Sequence, residues 1–265
     1  HILFLESNNF ILMFNKAIVK IPCANMIAGL TSANLGSPNY LTALTQHQHY
    51  INALKRCGLD VKILDKDEFF PDSTFVEDTA LLTPNCAIIT NPGAPSRKGE
   101  IFEIKKELTG LYKNIEEIKD PGTLEAGDVM MVGNHYYIGL SERTNSFGAK
   151  QLIEILNKYG LTGSTISLEK VLHLKSGVSY LENNRLLVSG EFIIKPEFHN
   201  FNLILVDDDE SYAANSLWIN DYVLVPQGFP KTKKEIERFG YTTIEVDVSE
   251  FRKLDGGLSC LSLRY

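Results

Sequence analysis

The chain has 265 residues, 44% of them hydrophobic, with a mean hydropathy of −0.08, which is enough for a substantial buried core. Its 26 basic and 33 acidic side chains leave a net charge of −7, which excludes wholesale nucleic-acid binding and makes any functional basic group a local one. The cysteines Cys23, Cys57, Cys86 and Cys260 are far apart and form no C-x-x-C pair, which argues against a zinc site or a disulfide framework and fits a reducing, cytoplasmic setting.

No apolar run approaches transmembrane length, so no membrane partner is expected. Residues 1–12 are apolar but lack the basic start and cleavage site of a signal peptide. They are read as a tag remnant or an over-long start, and residues 13–265 as one domain, since no Pro/Gly/Ser-rich linker divides them. A strand pattern at 14–21 is followed by a loop rich in Gly, Ser and Asn at 29–36 and a helical pattern at 40–57. Four strand–turn–strand segments come next, turning at Pro84-Asn85, Gly133-Asn134, Asn183-Asn184 and Asn220-Asp221 between β-branched and apolar runs. The turns fall at 85, 134, 184 and 221, offsets of 49, 50 and 37 residues, which is an internal period. Helical patterns at 97–111, 146–159 and 231–239 follow three of the hairpins, and the third hairpin has only a degenerate one. Short strand patterns close the units at 61–64, 115–118, 165–168, 203–206 and 243–246. If the strand-like run 258–264 pairs with 14–21, the unit occurs five times and the ring closes. The expected fold is therefore an α/β propeller of five ββαβ units.

Hairpin openings in such a ring converge on one end of the axis, and those openings carry ionisable residues. Asp72, Glu77 and Asp78 precede the first hairpin, Glu125 and Asp128 the second, and His173 the third, while Cys260 follows Asp255-Gly256-Gly257. One surface carboxylate means little, and a lone cysteine is more often a packing residue. Acids, an imidazole and a thiol repeated at one structural level are a stronger signal. Clustered carboxylates repel unless a cation lies between them, so a guanidinium or ammonium ligand suits them. Arg97 and Arg143 start helical segments after two hairpins, where a pair of arginines can clamp a carboxylate. Acids at one end and arginines at the other describe an amino acid with a cationic tail. His47 and His49 lie two apart on a helical pattern and face different ways, so partial exposure is expected there rather than a metal site.

The ordered set Phe75-Val76-Glu77-Asp78, Asn91 to Glu100, Glu125-Ala126-Gly127-Asp128, Ser141 to Asn145, Leu172-His173-Leu174-Lys175 and Asp255 to Cys260 resembles the dimethylarginine dimethylaminohydrolases, nearest their short bacterial members. The resemblance runs from about Met13 to Tyr265. It implies the five-fold pentein ring of the guanidino-modifying superfamily and a hydrolase acting on C–N bonds in linear amidines. It implies Cys260 as nucleophile, His173 as general acid and base, and Glu125 as the carboxylate that orients it. Glu77 and Asp78 would bind the substituted guanidinium, and Asp72 with the main-chain carbonyls of Leu30 and Leu254 the α-ammonium. Arg97 and Arg143 would hold the α-carboxylate, and the 29–36 loop would act as a lid. The partner implied is methylated arginine or arginine, with no metal or organic cofactor, and a homodimer is left open. Two alternatives remain: an arginine deiminase-type hydrolase of free arginine, for which the usual helical insertion is missing, and a non-catalytic ring-shaped binding protein. At one position the chain departs from the family as read: Ser216, in Ala213-Ala214-Asn215-Ser216, stands where cysteine is common.

Overall fold

The computed structural model describes the backbone of residues 2–6 and 9–265 and the side chains of residues 13–265. Two short strands, β1 (Ile2–Glu6) and β2 (Asn9–Met13), pair as an antiparallel hairpin. The expectation that residues 1–12 are a tag falls on a segment whose side chains lie outside the described residues. Next come β3 (Lys16–Lys20), helix α1 (Tyr40–Arg56) and β4 (Asp60–Leu64). The second group is β5 (Ala80–Leu82), β6 (Ala87–Ile89), α2 (Ile101–Thr109) and β7 (Ile115–Glu117). The third is β8 (Val129–Val132), β9 (His135–Leu140), α3 (Ser146–Lys158) and β10 (Thr162–Ser167). The fourth has three strands, β11 (Val178–Tyr180), β12 (Arg185–Val188) and β13 (Asn202–Leu205). The fifth is β14 (Leu217–Ile219), β15 (Tyr222–Pro226), α4 (Pro230–Arg238) and β16 (Thr242–Val246), followed by α5 (Ser249–Arg252) and β17 (Leu263–Arg264).

Each group forms a three-stranded blade with one antiparallel and one parallel pairing. A parallel pairing needs a crossover, which a helix supplies in four blades. In the blade of β11 to β13 two 3₁₀ turns, Gly190–Ile194 and Pro196–Phe198, do this instead, as the degenerate pattern there suggested. The remaining blade, β17-β3-β4, takes its antiparallel pair from distant parts of the chain, with Leu263 opposite Ile18 and Arg264 opposite Ala17. The fold is the five-bladed α/β propeller expected from the repeat.

Apolar burial follows the same repeat, in five clusters around the ring. Helix α3 places Leu152 and Leu156 fully inside, each worth about 1.5–3 kcal/mol of transfer free energy. Its N-cap Asn145 accepts from the Gly148 N–H at 2.8 Å and also from the Thr123 N–H at 3.0 Å, so one side chain starts the helix and anchors the opening of its own blade. His47 corrects an expectation: it is buried on α1 against Phe251, and burial lowers its pKa to about 4. Among the described residues no helix is long and apolar enough to cross a membrane.

The openings differ from the sequence expectation in a way that shapes the site. The strand expected before the Pro84-Asn85 turn opens as a 3₁₀ turn, Val76–Thr79, followed by only three strand residues. Equivalent turns stand at Ala126–Asp128, Leu174–Ser176, Asp208–Ala214 and Ser259–Leu261. Cys260 therefore sits in a 3₁₀ turn, not in the strand-like run expected for 258–264.

Candidate active site

The five turns bring side chains from every blade to one end of the axis. A cavity of about 230 Å³ opens there, lined among others by Asp72, Asp78, Arg97, Glu125, Arg143, His173 and Cys260. Leu30 and Leu254 also line it. Of the ionisable residues singled out at the hairpin openings, Glu77 and Asp128 do not line this cavity; the others do.

Three carboxylates surround His173, which is 9% exposed. Its Nε2 lies 2.8 Å from Glu125 Oε2. Burial alone would drive the imidazolium proton off, but Asp78, Asp128 and Glu125 outweigh it and raise the His173 pKa to about 9. Burial likewise opposes ionisation of Glu125, and the hydrogen bond and charge of His173, with Arg97 and Arg143, hold its carboxyl below the usual range. Asp128 is fully buried and accepts from the Leu174 N–H at 2.9 Å and the Ser141 hydroxyl at 2.7 Å, so it fixes the residue after the imidazole. Gly127 passes between Asp78 and His173: a Cβ there would stand 2.8 Å from Asp78 Oδ1 and 3.1 Å from His173 Cγ.

The thiol is held differently. Asp255, in the left-handed region at φ 57°, turns the chain into Gly256 and Gly257. A Cβ on Gly257 would stand 2.4 Å from Asn215 Oδ1. Asn215 accepts from the Ser259 N–H at 3.0 Å, and its amide donates to the Ser259 hydroxyl at 2.9 Å and the Lys175 carbonyl at 2.8 Å. Arg264 donates to the Ser259 carbonyl at 3.2 Å and the Ser262 carbonyl at 2.7 Å. The turn is thus gripped on both sides of Cys260, whose Sγ accepts from the Gly257 N–H at 3.4 Å. Burial, then Glu77 and Asp78, raise the Cys260 pKa to about 12. The free protein therefore pairs a neutral thiol with an imidazolium.

The arginines do not form the opposite pole that the sequence suggested. Arg97 is buried among the acids: Nη1 donates to Asp78 at 2.6 Å, Nη2 to Glu100 at 2.7 Å and to the Phe75 carbonyl at 3.0 Å, and Nε to Glu100 at 3.1 Å. Arg143 is freer, with one long contact of 3.5 Å to Glu125. Glu77 turns away from the cavity and accepts from Lys175 at 2.6 Å and Arg264 at 3.1 Å. Asp72 accepts from the Leu30 N–H at 3.0 Å, and burial raises its pKa. The 29–36 loop is also tied by the Thr31 hydroxyl to the Lys253 carbonyl at 2.8 Å and by the Ser32 hydroxyl to Asp255 at 3.0 Å.

Asn215, Lys175, Arg264 and Asp255 were not assigned roles from the sequence. Asn215 stands at the opening of the fifth group, where the repeat already pointed, but an amide carries no charge to attract notice. Asp78, Glu125 and His173 bring one donor atom each to within 4.8 Å of one another, a spacing a metal could use. Arg97 and the imidazolium already supply the cations there, so a metal would have to displace them.

Known proteins share this arrangement at the level of the whole chain. Residues 37–195 match the family described as N,N dimethylarginine dimethylhydrolase, eukaryotic. The N(G),N(G)-dimethylarginine dimethylaminohydrolase of Pseudomonas aeruginosa is 55% identical over 254 residues, 96% of this chain and 100% of that protein. A solved structure of that bacterium's enzyme, a cysteine-to-serine variant complexed with citrulline, superposes with a TM-score of 0.95 at 54% identity, covering 96% and 100% of the two chains. The N-terminal domain of ArgZ, an arginine dihydrolase of cyanobacteria, shares the fold at a TM-score of 0.85 and 18% identity over 94% of this chain and 96% of that one. With the fold and more than half of the aligned residues in common with its bacterial relative, the chain belongs to the dimethylarginine dimethylaminohydrolase family.

Proposed function

We propose that this protein hydrolyses N-ω-methylated arginines to citrulline and methylamine or dimethylamine, with Cys260 as nucleophile. The observation that carries the proposal is the His173–Glu125 pair at 2.8 Å, lining one cavity with Cys260 and Asp78. A guanidinium carbon is a weak electrophile, so the attacking group must be a thiolate. A thiol held at about 12 does not ionise alone near neutrality. A cationic guanidinium against Asp78 reverses the local field, and the thiol releases its proton to solvent as the substrate binds. Sulfur then adds to the guanidinium carbon. His173, already an imidazolium, protonates the departing amine, because an amide anion cannot leave. The C–N bond breaks and a thiouronium remains on Cys260. Glu125 keeps the imidazole oriented throughout.

At the other end of the substrate, Asp72 with the carbonyls of Leu30 and Leu254 takes the α-ammonium, and Arg143, helped by Arg97, takes the α-carboxylate. Glu77 holds the charges of Lys175 and Arg264 behind the site. Four free thiols suit a reducing cytoplasm. The test is citrulline production from asymmetric dimethylarginine, monomethylarginine and arginine in parallel, with Cys260→Ser as blank. Turnover of the methylated substrates is expected. Preference for arginine would move the protein to deiminase chemistry with the same residues, and no citrulline from any of the three would refute both.

A further inference from the structure

We propose that a small cavity lined by Cys260 and His173 holds the water that hydrolyses the thiouronium; the inference rests on the function proposed above. The cavity measures about 50 Å³ and is lined by His173, Lys175, Ser176, Asn215, Ser259 and Cys260, among others. It shares His173 and Cys260 with the main cavity. It shares Lys175 and Ser259 with a third cavity of about 150 Å³ enclosed by the first strands of the blades, β5, β8, β11, β14 and β17. The small cavity therefore adjoins both of the others.

Size and chemistry both select water. One molecule needs roughly 10–15 Å³ of such space and two to four polar partners. A cavity of about 50 Å³ admits one or a few waters and excludes an amino acid. The Ser259 hydroxyl accepts from Asn215 at 2.9 Å and keeps its own proton to donate. The Lys175 carbonyl accepts one bond from Asn215 and retains a second lone pair. Among the described residues the Ser176 hydroxyl has no hydrogen-bond partner. These groups stand beside both the sulfur and the imidazole.

The reaction requires such a store. Substrate in the main cavity stands in front of the sulfur, with the loop tied at Asp72, Lys253 and Asp255 along one wall, which narrows the frontal path for bulk water. Once His173 has protonated the amine it is a neutral base. A water from the small cavity gives it one proton as its oxygen bonds to the thiouronium carbon. The adduct collapses, the C–S bond breaks, and the remaining hydroxyl proton passes to the departing sulfur. Citrulline, the thiol and the imidazolium are left, which is the resting ionisation of the free protein.

Ser176 lines only the small cavity among the three, so Ser176→Val fills it without touching a group assigned to catalysis. Amine and citrulline are measured separately in rapid-quench turnover of a methylated arginine, with intact-protein mass. In Ser176→Val a stoichiometric burst of amine is expected, with citrulline turnover at least about tenfold slower and the Cys260 adduct as the main species. Ser176→Ala, which removes the hydroxyl but keeps the space open, should slow citrulline release less than Ser176→Val and leave the amine burst intact. Equal loss of amine and citrulline without adduct, or no change in Ser176→Val, overturns the proposal. If Ser176→Val does not fold, Ser176→Thr should give the same split at smaller amplitude, and its absence counts equally against the proposal. Wild-type protein that releases neither amine nor citrulline refutes the function instead.

Discussion

Replacing Glu125 with glutamine keeps the side-chain shape and removes one charge 2.8 Å from His173 Nε2. At that distance and an effective dielectric of about 20, Coulomb's law gives an attraction of about 6 kcal/mol, an upper bound. Carboxylates this close raise a pKa by roughly 1–3, and a central value of 2 corresponds to about 2.7 kcal/mol. Asp78 and Asp128 still face the imidazole from the neighbouring turns, so the shift is not abolished. His173 should then fall from about 9 to roughly 7, and its protonated fraction at pH 8 from about nine-tenths to about one-tenth. The assay is the pH profile of kcat/KM for citrulline formation, which reports groups of the free enzyme. The basic limb should move down by about 2, with an approximately tenfold loss at pH 8 that recovers near pH 6. A uniform loss at every pH, with the limb still near 9, would refute the assignment of that limb to the His173–Glu125 pair.

Other substitutions test the surroundings. Arg97→Met leaves Asp78 and Glu100 buried without their cation and should cost about 3–5 kcal/mol in urea unfolding; a loss under 1 kcal/mol would contradict the buried network. Arg143→Lys should raise KM for methylated arginine by about tenfold with kcat nearly unchanged, because a forked carboxylate contact is lost while the chemistry stays intact. Gly127→Ala should lower turnover by about 100-fold in a folded protein, since the new methyl displaces Asp78 or His173; near-normal kinetics would show that the turn yields freely. Stability should also report the imidazole. The unfolded residue loses its proton near 6.5 and the folded one near 9, so its contribution of about 3 kcal/mol is full below 6.5 and disappears as pH rises through 9. His173→Gln should flatten the urea-midpoint slope between those values, and an unchanged slope would place it elsewhere.

The repeat was legible because each blade is built from local signals: a two-residue turn, alternating apolar runs and, in three of the four internal units, a following helical stripe. The convergence of Asp78, Glu125, His173 and Cys260 followed from their equal places in the units. Two things were not local. The openings at Ser259 and Leu174 are shaped by Asn215 and Asp128, which capture backbone groups of these turns from neighbouring blades. Arg97 turns inward because Asp78, Glu100 and the Phe75 carbonyl hold its guanidinium, and 19 residues separate it from Asp78. The resemblance placed Glu77 with Asp78 on the guanidinium. In a 3₁₀ turn neighbouring side chains diverge, and Glu77 points to Lys175 and Arg264 while Asp78 faces the cavity.

The seam of the ring lies in the blade that presents the thiol. Leu263 and Ile18 pair across 245 positions, so that pairing bears the largest loop-closure entropy in the molecule and belongs late in folding. Arg264, which steadies the Cys260 turn, is on the same two-residue strand. A chain with four blades formed therefore has its acids and imidazole in place but an unaligned sulfur. Bringing the Cys260 thiol against the acids and the imidazole is therefore the work of ring closure itself, and a half-made or locally opened ring leaves them apart.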